Sequence, residues 1–365
     1  MVTSQATNAN KVAVALSGGV DSSTAAALLL EQGYQVMGMT MSLWATRFAR
    51  GLPENECCSA SAIADAQRVC EFLGIPFHLV DLETPFKAHV VEYFCDSYAL
   101  GHTPNPCLPC NRHIKFGALL QRALEWGADF LATGHYARIR TARGEHQLLK
   151  ASDPDKDQSY VLYMLGQEEL GHVMFPLGSF TKPQVRAMAA VYGLPTADRT
   201  ESQDACFLSD GDYRAFLAQR RPETQRPGPI FDLDGRQLGE HRGIAFYTVG
   251  QRRGLGIAAP HALYVLEIDA ARNSLIVGPK AAVFRHECWA DDVVYVSGKV
   301  PQASLPITAK IRYRAPEASA TLLPAAGYRA RVVFVEPQPA ITPGQGIVFY
   351  QGSVVLGGGV IAASG

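Results

Sequence analysis

Apolar runs and helix-spaced apolar positions alternate along the first half of the chain. Residues 11–16 (KVAVAL) form a short apolar run that breaks at a Ser-Gly-Gly turn. Residues 21–32 are rich in Ala and Leu and stop at Gly33, which predicts a helix with a polar start and a glycine end. A second strand is predicted over 34–43. Across 61–73, Ile63, Ala66, Val69, Cys70 and Leu73 recur on one helical face. Residues 76–81 read as a strand, 86–100 and 112–126 as helices, and 128–133 (ADFLAT) as a strand running into Gly-His-Tyr. Strands alternating with helices predict an α/β fold, a doubly wound parallel sheet with helices on both faces.

After about Asp210 the helical spacing weakens and Gly/Pro turns multiply. Short strands are predicted over 244–249, 263–268, 274–277, 292–296, 307–313, 330–334 and 346–351. The pattern restarts near Val283. The expected organisation is therefore an α/β domain over 1–212, a small β-rich central domain over 213–282, and a C-terminal β-barrel-like domain over 283–365.

Composition adds limits. Of 365 residues, 47% are hydrophobic and 18% charged, enough apolar material for ordinary buried cores. The formal net charge is −1, so any nucleic-acid site must be a local patch. The first ten residues lack the basic and apolar regions of a signal peptide. No apolar run approaches the roughly 18 residues of a membrane span. A cytoplasmic protein with no membrane partner is expected, and in that compartment the eight cysteines are thiols rather than structural disulfides.

The strongest local motif is SGGVDSS, Ser17 to Ser23, between the first strand and the first helix. Glycines there let the backbone approach an anion, and successive amides with the helix dipole favour negative charge. The hydroxyls of Ser17, Ser22 and Ser23 add donors. Asp21 is out of place beside a phosphate unless it faces a metal, and Mg²⁺ on a pyrophosphate leaving group suits it. The GK[ST] ending of a Walker loop is absent, as is GxGxxG. SGGVDSS resembles the PP-loop of the ATP pyrophosphatases, a superfamily that contains both amidating synthetases and tRNA thiolation enzymes.

Two further segments narrow that choice, TPNPCLPCNRHIKFG (103–117) and ESQDACFLSDGDY (201–213). With TGHYAR (133–138), DKDQSYVLY (155–163), GQRRGLGI (250–257), RYR (312–314) and TPGQ (342–345), they make nearly the whole chain resemble the tRNA-specific 2-thiouridylase family. The resemblance implies ATP as cosubstrate at Ala15, Leu16, Ser17, Gly18, Gly19, Val20, Asp21, Ser22 and Ser23. Met41 and Gly134 would line the adenosine site. It implies Cys110 as nucleophile and disulfide partner and Cys206 as the residue that carries a persulfide. It implies tRNA contacts at Asn105, Pro106 and Cys107 (the target base), and at His135, Lys156, Asp157, Gln158, Arg312, Tyr313 and Gln345. A sulfur-donating partner protein follows from the same chemistry.

The residues support sulfur chemistry on their own terms. A cysteine can hold sulfur as a persulfide, and a second thiol can release it and leave a disulfide. Cys110 precedes a helix predicted to begin near Asn111, where the helix N-terminus with Arg112 and Lys115 favours thiolate. Cys70, Cys95 and Cys288 read as buried small hydrophobes, while Cys57 and Cys58 stay open. In many relatives an aspartate stands where this chain has Cys107. The resulting Cys107-Leu-Pro-Cys110 pair, with Cys206, raises the alternative of three thiolates on a [4Fe-4S] cluster.

Between Tyr213 and Arg253 eight arginines stand against four acids, densest at Arg252-Arg253. Lys310, Arg312, Tyr313 and Arg314 form a basic run with an aromatic ring that can stack on a base. Two rivals remain. An amidating PP-loop synthetase would need an ammonia source, and no glutaminase segment is present. A non-catalytic RNA-binding protein would have no use for Asp21.

Overall fold

The computed structural model describes residues 10–43, 60–197, 199, 206–208 and 212–362. These residues divide into two compact units, 1–89 with 109–211 and 353–355, and 90–108 with 212–352 and 356–365.

In the first unit, β1 (Lys11–Ala15), β2 (Gln35–Ser42), β3 (Phe77–Asp81), β4 (Phe130–Thr133) and β7 (Val173–Met174) form one sheet. All neighbours are parallel and the order is β3-β2-β1-β4-β7. This is the doubly wound sheet that the alternating pattern predicts. Helix α1 (Val20–Glu31) joins β1 to β2, and α2 (Ala60–Leu73) precedes β3. Val12, Val14 and Leu16 of the β1 region pack against Ala26 and Leu29 of α1 and Ala66 and Cys70 of α2. The opposite side of α1 meets the helix Lys182–Val191 through Val20, Ala27 and Ala189. Ala-rich composition suits a helix that is covered on both sides.

A β-hairpin, β5 (Ala137–Ala142) and β6 (Glu145–Lys150), follows β4. Its turn residues Arg143 and Gly144 both have positive φ, 55° and 78°, the backbone that a two-residue hairpin turn requires. Its charged residues hide the strand alternation, so the apolar pattern does not predict it.

The second unit contains a four-stranded sheet and a closed barrel. The sheet is β10 (Tyr264–Asp269), β11 (Ser274–Gly278), β8 (Gly228–Phe231) and β9 (Gln237–His241), in that spatial order. The strand expected over 244–249 is instead a single 3-10 turn, Ile244–Phe246. Ile244 and Tyr247 both insert into the core of the sheet, a spacing of three that a strand cannot bury on one face.

The barrel is β12 (Phe284–Tyr295), β15 (Arg329–Pro339), β14 (Ala318–Ala325), β13 (Leu305–Lys310), β16 (Gly346–Gln351) and β17 (Val354–Ile361), closed by β12 pairing with β17. Closure removes sheet edges. Ala309, Leu322, Val332, Phe334, Ile347 and Phe349 fill the interior. β17 is not predicted from the sequence, because Gly357–Gly359 lower strand propensity. Closure itself requires those glycines. A Cβ at Gly357 would lie 2.1 Å from the Val294 carbonyl oxygen, and one at Gly359 would lie 2.6 Å from that of Asp291.

Candidate active site

The phosphate loop leaves β1 at the sheet's switch point. β1 and β4 are neighbours, and the order reverses between them, so their carboxyl ends open the crevice where doubly wound sheets bind ligands. Gly18 has φ +73°, and a Cβ there would sit 2.6 Å from the Ala62 carbonyl oxygen, which requires glycine. Gly19 caps α1 with extended backbone and no side-chain bond to the first amides. Those amides are left for an outside anion. Gly134, just past β4, lies so close to α1 that a Cβ would be 2.8 Å from the Ser22 amide nitrogen. Met41, near the end of β2, is half-buried.

The serines differ from the expectation. The Ser22 and Ser23 hydroxyls donate inward to the Gly19 carbonyl, at 3.2 and 2.9 Å, and the Ser17 amide donates to Ser22 Oγ at 3.2 Å. Both side chains are buried. They are turned inward onto the loop's own backbone.

Asp21 has partners that the sequence did not reveal. Lys182 Nζ donates to both carboxylate oxygens, at 2.7 and 2.8 Å, and the Tyr136 hydroxyl donates to Oδ1 at 2.8 Å. The Lys182 side chain is 9% exposed and that of Asp21 is 30% exposed. Asp153 accepts the Lys182 amide at 2.8 Å and so holds the start of the helix that carries it. Asp21 and Lys182 lie 161 residues apart, and an isolated lysine carries no motif. The only local hint is the Thr181–Gln184 capping box that fixes the helix start.

Cys110 is 8% exposed, Cys206 is half-buried and Cys107 is exposed. The helical winding begins at Cys107, earlier than the predicted start near Asn111, because Asn105 Oδ1 accepts the Cys107 amide at 3.0 Å. Cys110 therefore sits one turn inside and starts a π-wound segment, Cys110–Leu119. The helix N-terminus belongs to Cys107, so Cys110 does not lie before the helix as its sequence predicts. Asn111 donates Nδ2 to the Val161 carbonyl at 2.7 Å, and its buried Oδ1 has no hydrogen-bond partner. Phe207, next to Cys206, packs on Phe86 with ring centroids 6.0 Å apart. The turn Glu83–Phe86 also packs against the Cys110–Leu119 segment. The turn thus meets both the residue after Cys206 and the segment that Cys110 begins.

Among the described residues no three His, Cys, Asp or Glu side chains are gathered to hold a metal. Cys107, Cys110 and Cys206 do not fit a [4Fe-4S] centre here, because Cys107 faces solvent while Cys110 is buried. Cys70, Cys95 and Cys288 are buried. Burial pushes the first two thiols up to about 11 and Cys288 to about 12. Cys57 and Cys58 lie outside the described residues.

The residues expected to touch tRNA fall into two groups. Some are committed to the protein. The Asp157 carboxylate accepts the Ala151 amide (3.0 Å) and the Ser159 amide and hydroxyl (3.2 and 2.9 Å). Gln158 Oε1 accepts the Tyr136 amide at 2.9 Å. His135 is buried near Phe116 and Phe175, with Nδ1 2.7 Å from Thr133 Oγ1. Burial, then the charge of Lys115, holds the His135 imidazole well below its ordinary range. Gln345 Nε2 donates to the Thr103 carbonyl at 2.8 Å and braces the segment that leads to Asn105, Pro106 and Cys107. Others are open. Lys156 is half-buried, and Arg252, Arg253, Arg312, Tyr313 and Arg314 are exposed. The strand predicted over 307–313 ends at Lys310. Ile311 and Ala315 are both buried, so residues 312–314 bulge outward between two core anchors. None of the helices is long and apolar enough to cross a membrane, among the described residues.

Three family descriptions match successive parts of the chain. They are the tRNA methyl transferase HUP domain over residues 10–210, the tRNA methyl transferase PRC-barrel domain over 214–279, and the aminomethyltransferase beta-barrel domain over 285–361. The chain is 51% identical to a tRNA-specific 2-thiouridylase MnmA of Roseiflexus castenholzii, over 96% of this chain and 99% of the relative. It is 53% identical to a protein of the same name from Chloroflexus aurantiacus, over 96% and 98%. A solved 4-thiouridine synthetase–RNA complex with bound ATP is 18% identical with TM-score 0.37, covering 59% of this chain and 51% of that one, a likeness too slight to bear on function.

Proposed function

The chain belongs to the tRNA-specific 2-thiouridylase family, and from that membership we propose that it replaces the 2-oxygen of the tRNA wobble uridine with sulfur, using ATP. The observation that carries the proposal is the intact phosphate loop at the switch point, in a chain matched to its relatives over 96% of its length.

In this reading uridine O2 attacks the α-phosphate of ATP and pyrophosphate leaves, which turns a poor oxygen leaving group into a good one. The loop amides and the α1 N-terminus hold the phosphates. Asp21 fits a divalent cation, since its carboxylate is the one acid of the loop and 30% exposed. Mg²⁺ bound there would neutralise the leaving pyrophosphate. Lys182 and Tyr136 orient that carboxylate. The terminal sulfur of a Cys206 persulfide then attacks C2, and AMP leaves. The Cys110 thiolate attacks Cys206 Sγ, the S–S bond to the transferred sulfur breaks, and a Cys110–Cys206 disulfide remains for an outside thiol to reduce. The turn Glu83–Phe86, which meets Phe207 beside Cys206 and the segment begun by Cys110, supports this pairing. A partner protein supplies the persulfide sulfur, and the reaction runs in the cytoplasm.

The exposed Arg312–Tyr313 bulge, Arg252-Arg253 and Lys156 are the proposed RNA contacts. Asn105, Pro106 and Cys107, braced by Gln345, form the segment that meets the target base. His135, Asp157 and Gln158 act by fixing the backbone beside Tyr136 and Lys156. The working division is 1–212 for ATP chemistry, 213–282 for RNA contact and 283–365 for the barrel, supported by the three matched ranges.

Two of the matched families are named for methyl transfer, and this is the competing reading. Methyl transfer has no use for pyrophosphate release. Incubation with ATP, unmodified tRNA and a persulfide donor is expected to yield pyrophosphate and 2-thiouridine together, and Asp21→Ala to lose both. Pyrophosphate release that does not depend on tRNA would refute the proposal.

A further inference from the structure

Strand β5 carries Arg138 and Arg140 two residues apart, so both side chains leave one face of the hairpin. They line a cleft of about 310 Å³ together with Phe175, Ser179 and Ser353. Among the described residues no acidic side chain lines it. Both guanidiniums are held at one edge by neutral oxygens. Arg138 Nε donates to the Lys150 carbonyl at 2.9 Å. Arg140 donates Nε and Nη2 to Gln147 Oε1, at 3.1 and 2.7 Å.

Neither arginine is paired with a carboxylate among the described residues. Several arginines elsewhere differ in this respect. Arg221 is paired with Glu92 and Asp96, Arg329 with Asp291, and Arg331 with Glu287. Two guanidiniums without counter-charge, beside two serines, form an anion site in a chain whose net charge is −1. Fixing each at its Nε edge leaves terminal N–H groups for a ligand and lowers the entropy lost on binding. The wall is preformed as well. Gly178 lies so close to β5 that a Cβ would stand 1.7 Å from the Ala137 carbonyl oxygen, which locks the neighbouring Ser179 beside Arg138.

We propose that this cleft binds phosphodiester groups of the RNA backbone and seats the body of the substrate on the first unit. The proposal rests on the reading that tRNA is the substrate. Nucleotide phosphates share the same chemistry, so the experiment carries an arm for each source.

The full chain is titrated with unmodified tRNA transcript from about 50 to 300 mM KCl, as wild type, Arg138→Gln, Arg140→Gln, the double variant and Arg138→Lys. Affinity for Mg·ATP is measured on the same preparations. Each Gln variant is expected to weaken tRNA binding several-fold and to flatten the log–log salt slope by about 0.7–0.9, the double variant by about twice that. Arg138→Lys keeps the charge and is expected to keep the slope, whereas a role confined to the Lys150 carbonyl bond would make it behave like Arg138→Gln. ATP affinity is expected to be equal throughout. An unchanged slope in the double variant, in a protein whose wild type binds tRNA, overturns the proposal. Weakened ATP binding reassigns the cleft to nucleotide and overturns it too. Wild type that fails to bind tRNA sinks the reading beneath it.

Discussion

Removing either member of the Asp21–Lys182 pair should destabilise the first unit, and the two losses should be unequal. In Asp21→Ala the ammonium of Lys182 loses this carboxylate while its side chain stays 9% exposed. Stranding one member of a fully buried pair costs about 3–5 kcal/mol. Here the lysine retains a contact over the Tyr136 ring, 5.8 Å from the centroid, which is worth about 0.5–1 kcal/mol. The opening around Asp21 reduces the loss further, to about 2–3 kcal/mol. In Lys182→Met the carboxylate keeps the Tyr136 hydroxyl and is 30% exposed. It also lies in the first turn of α1, where a negative charge is favoured by about 0.3–1 kcal/mol. Its loss should be about 1 kcal/mol. At about 2–4 °C per kcal/mol for a unit of this size, Asp21→Ala should lower Tm by about 4–12 °C and Lys182→Met by about 2–4 °C. The double variant strands no charge, so it should cost less than the sum of the single variants. Calorimetry on the four proteins without nucleotide decides the matter. The reasoning is refuted if Lys182→Met costs as much as Asp21→Ala, or if the double variant costs the full sum.

Further outcomes follow from the cysteines, the RNA surface and His135. Cys206→Ser should abolish persulfide loading by a sulfur donor, while Cys110→Ser should load and fail to thiolate; intact mass reads both, and persulfide on Cys110 in the first variant would reverse the roles. Cys107→Asp should keep at least half of wild-type thiolation, because that side chain is exposed and outside the proposed sulfur route; loss of activity together with loss of bound iron from anaerobic protein would restore a cluster. Replacing Arg312 and Tyr313 with Ala should weaken tRNA binding by about tenfold with Tm unchanged, since both are exposed on a bulge; a large fall in Tm would make them structural. Burial lowers the folded pKa of His135, so its contribution to stability is present above the unfolded value of 6.5 and is lost as pH falls below it. His135→Gln should therefore reduce the drop in Tm between pH 7.5 and 5.5, and an equal drop in both proteins would place the acid sensitivity elsewhere.

The features legible in the sequence are those whose energetics lie between chain neighbours. The phosphate loop is one contiguous segment: a strand that breaks at two glycines, one required at φ +73°, and a helix whose first amides need an anion. The period of apolar residues identified β1 to β4 with α1 and α2, but not β7 or the helix Lys182–Val191. Cys70 and Cys95 were readable from their apolar helical neighbours and Cys288 from its strand start, and all three are buried. Folding alone decided the rest. Asp21 meets Lys182 across 161 residues, and no local preference records that contact. Cys107 and Cys110 share one short motif, yet a helix start set by Asn105 exposes one and buries the other. Gly357–Gly359 look like a strand breaker until β12 lies against them, at a distance that admits no side chain. Arg312 and Tyr313 read as strand until the burial of Ile311 and Ala315 pushes them out as a turn. Local backbone and side-chain preferences act over a few residues and are written in order along the chain. Partners brought together by sheet order and barrel closure are chosen only when the whole core packs.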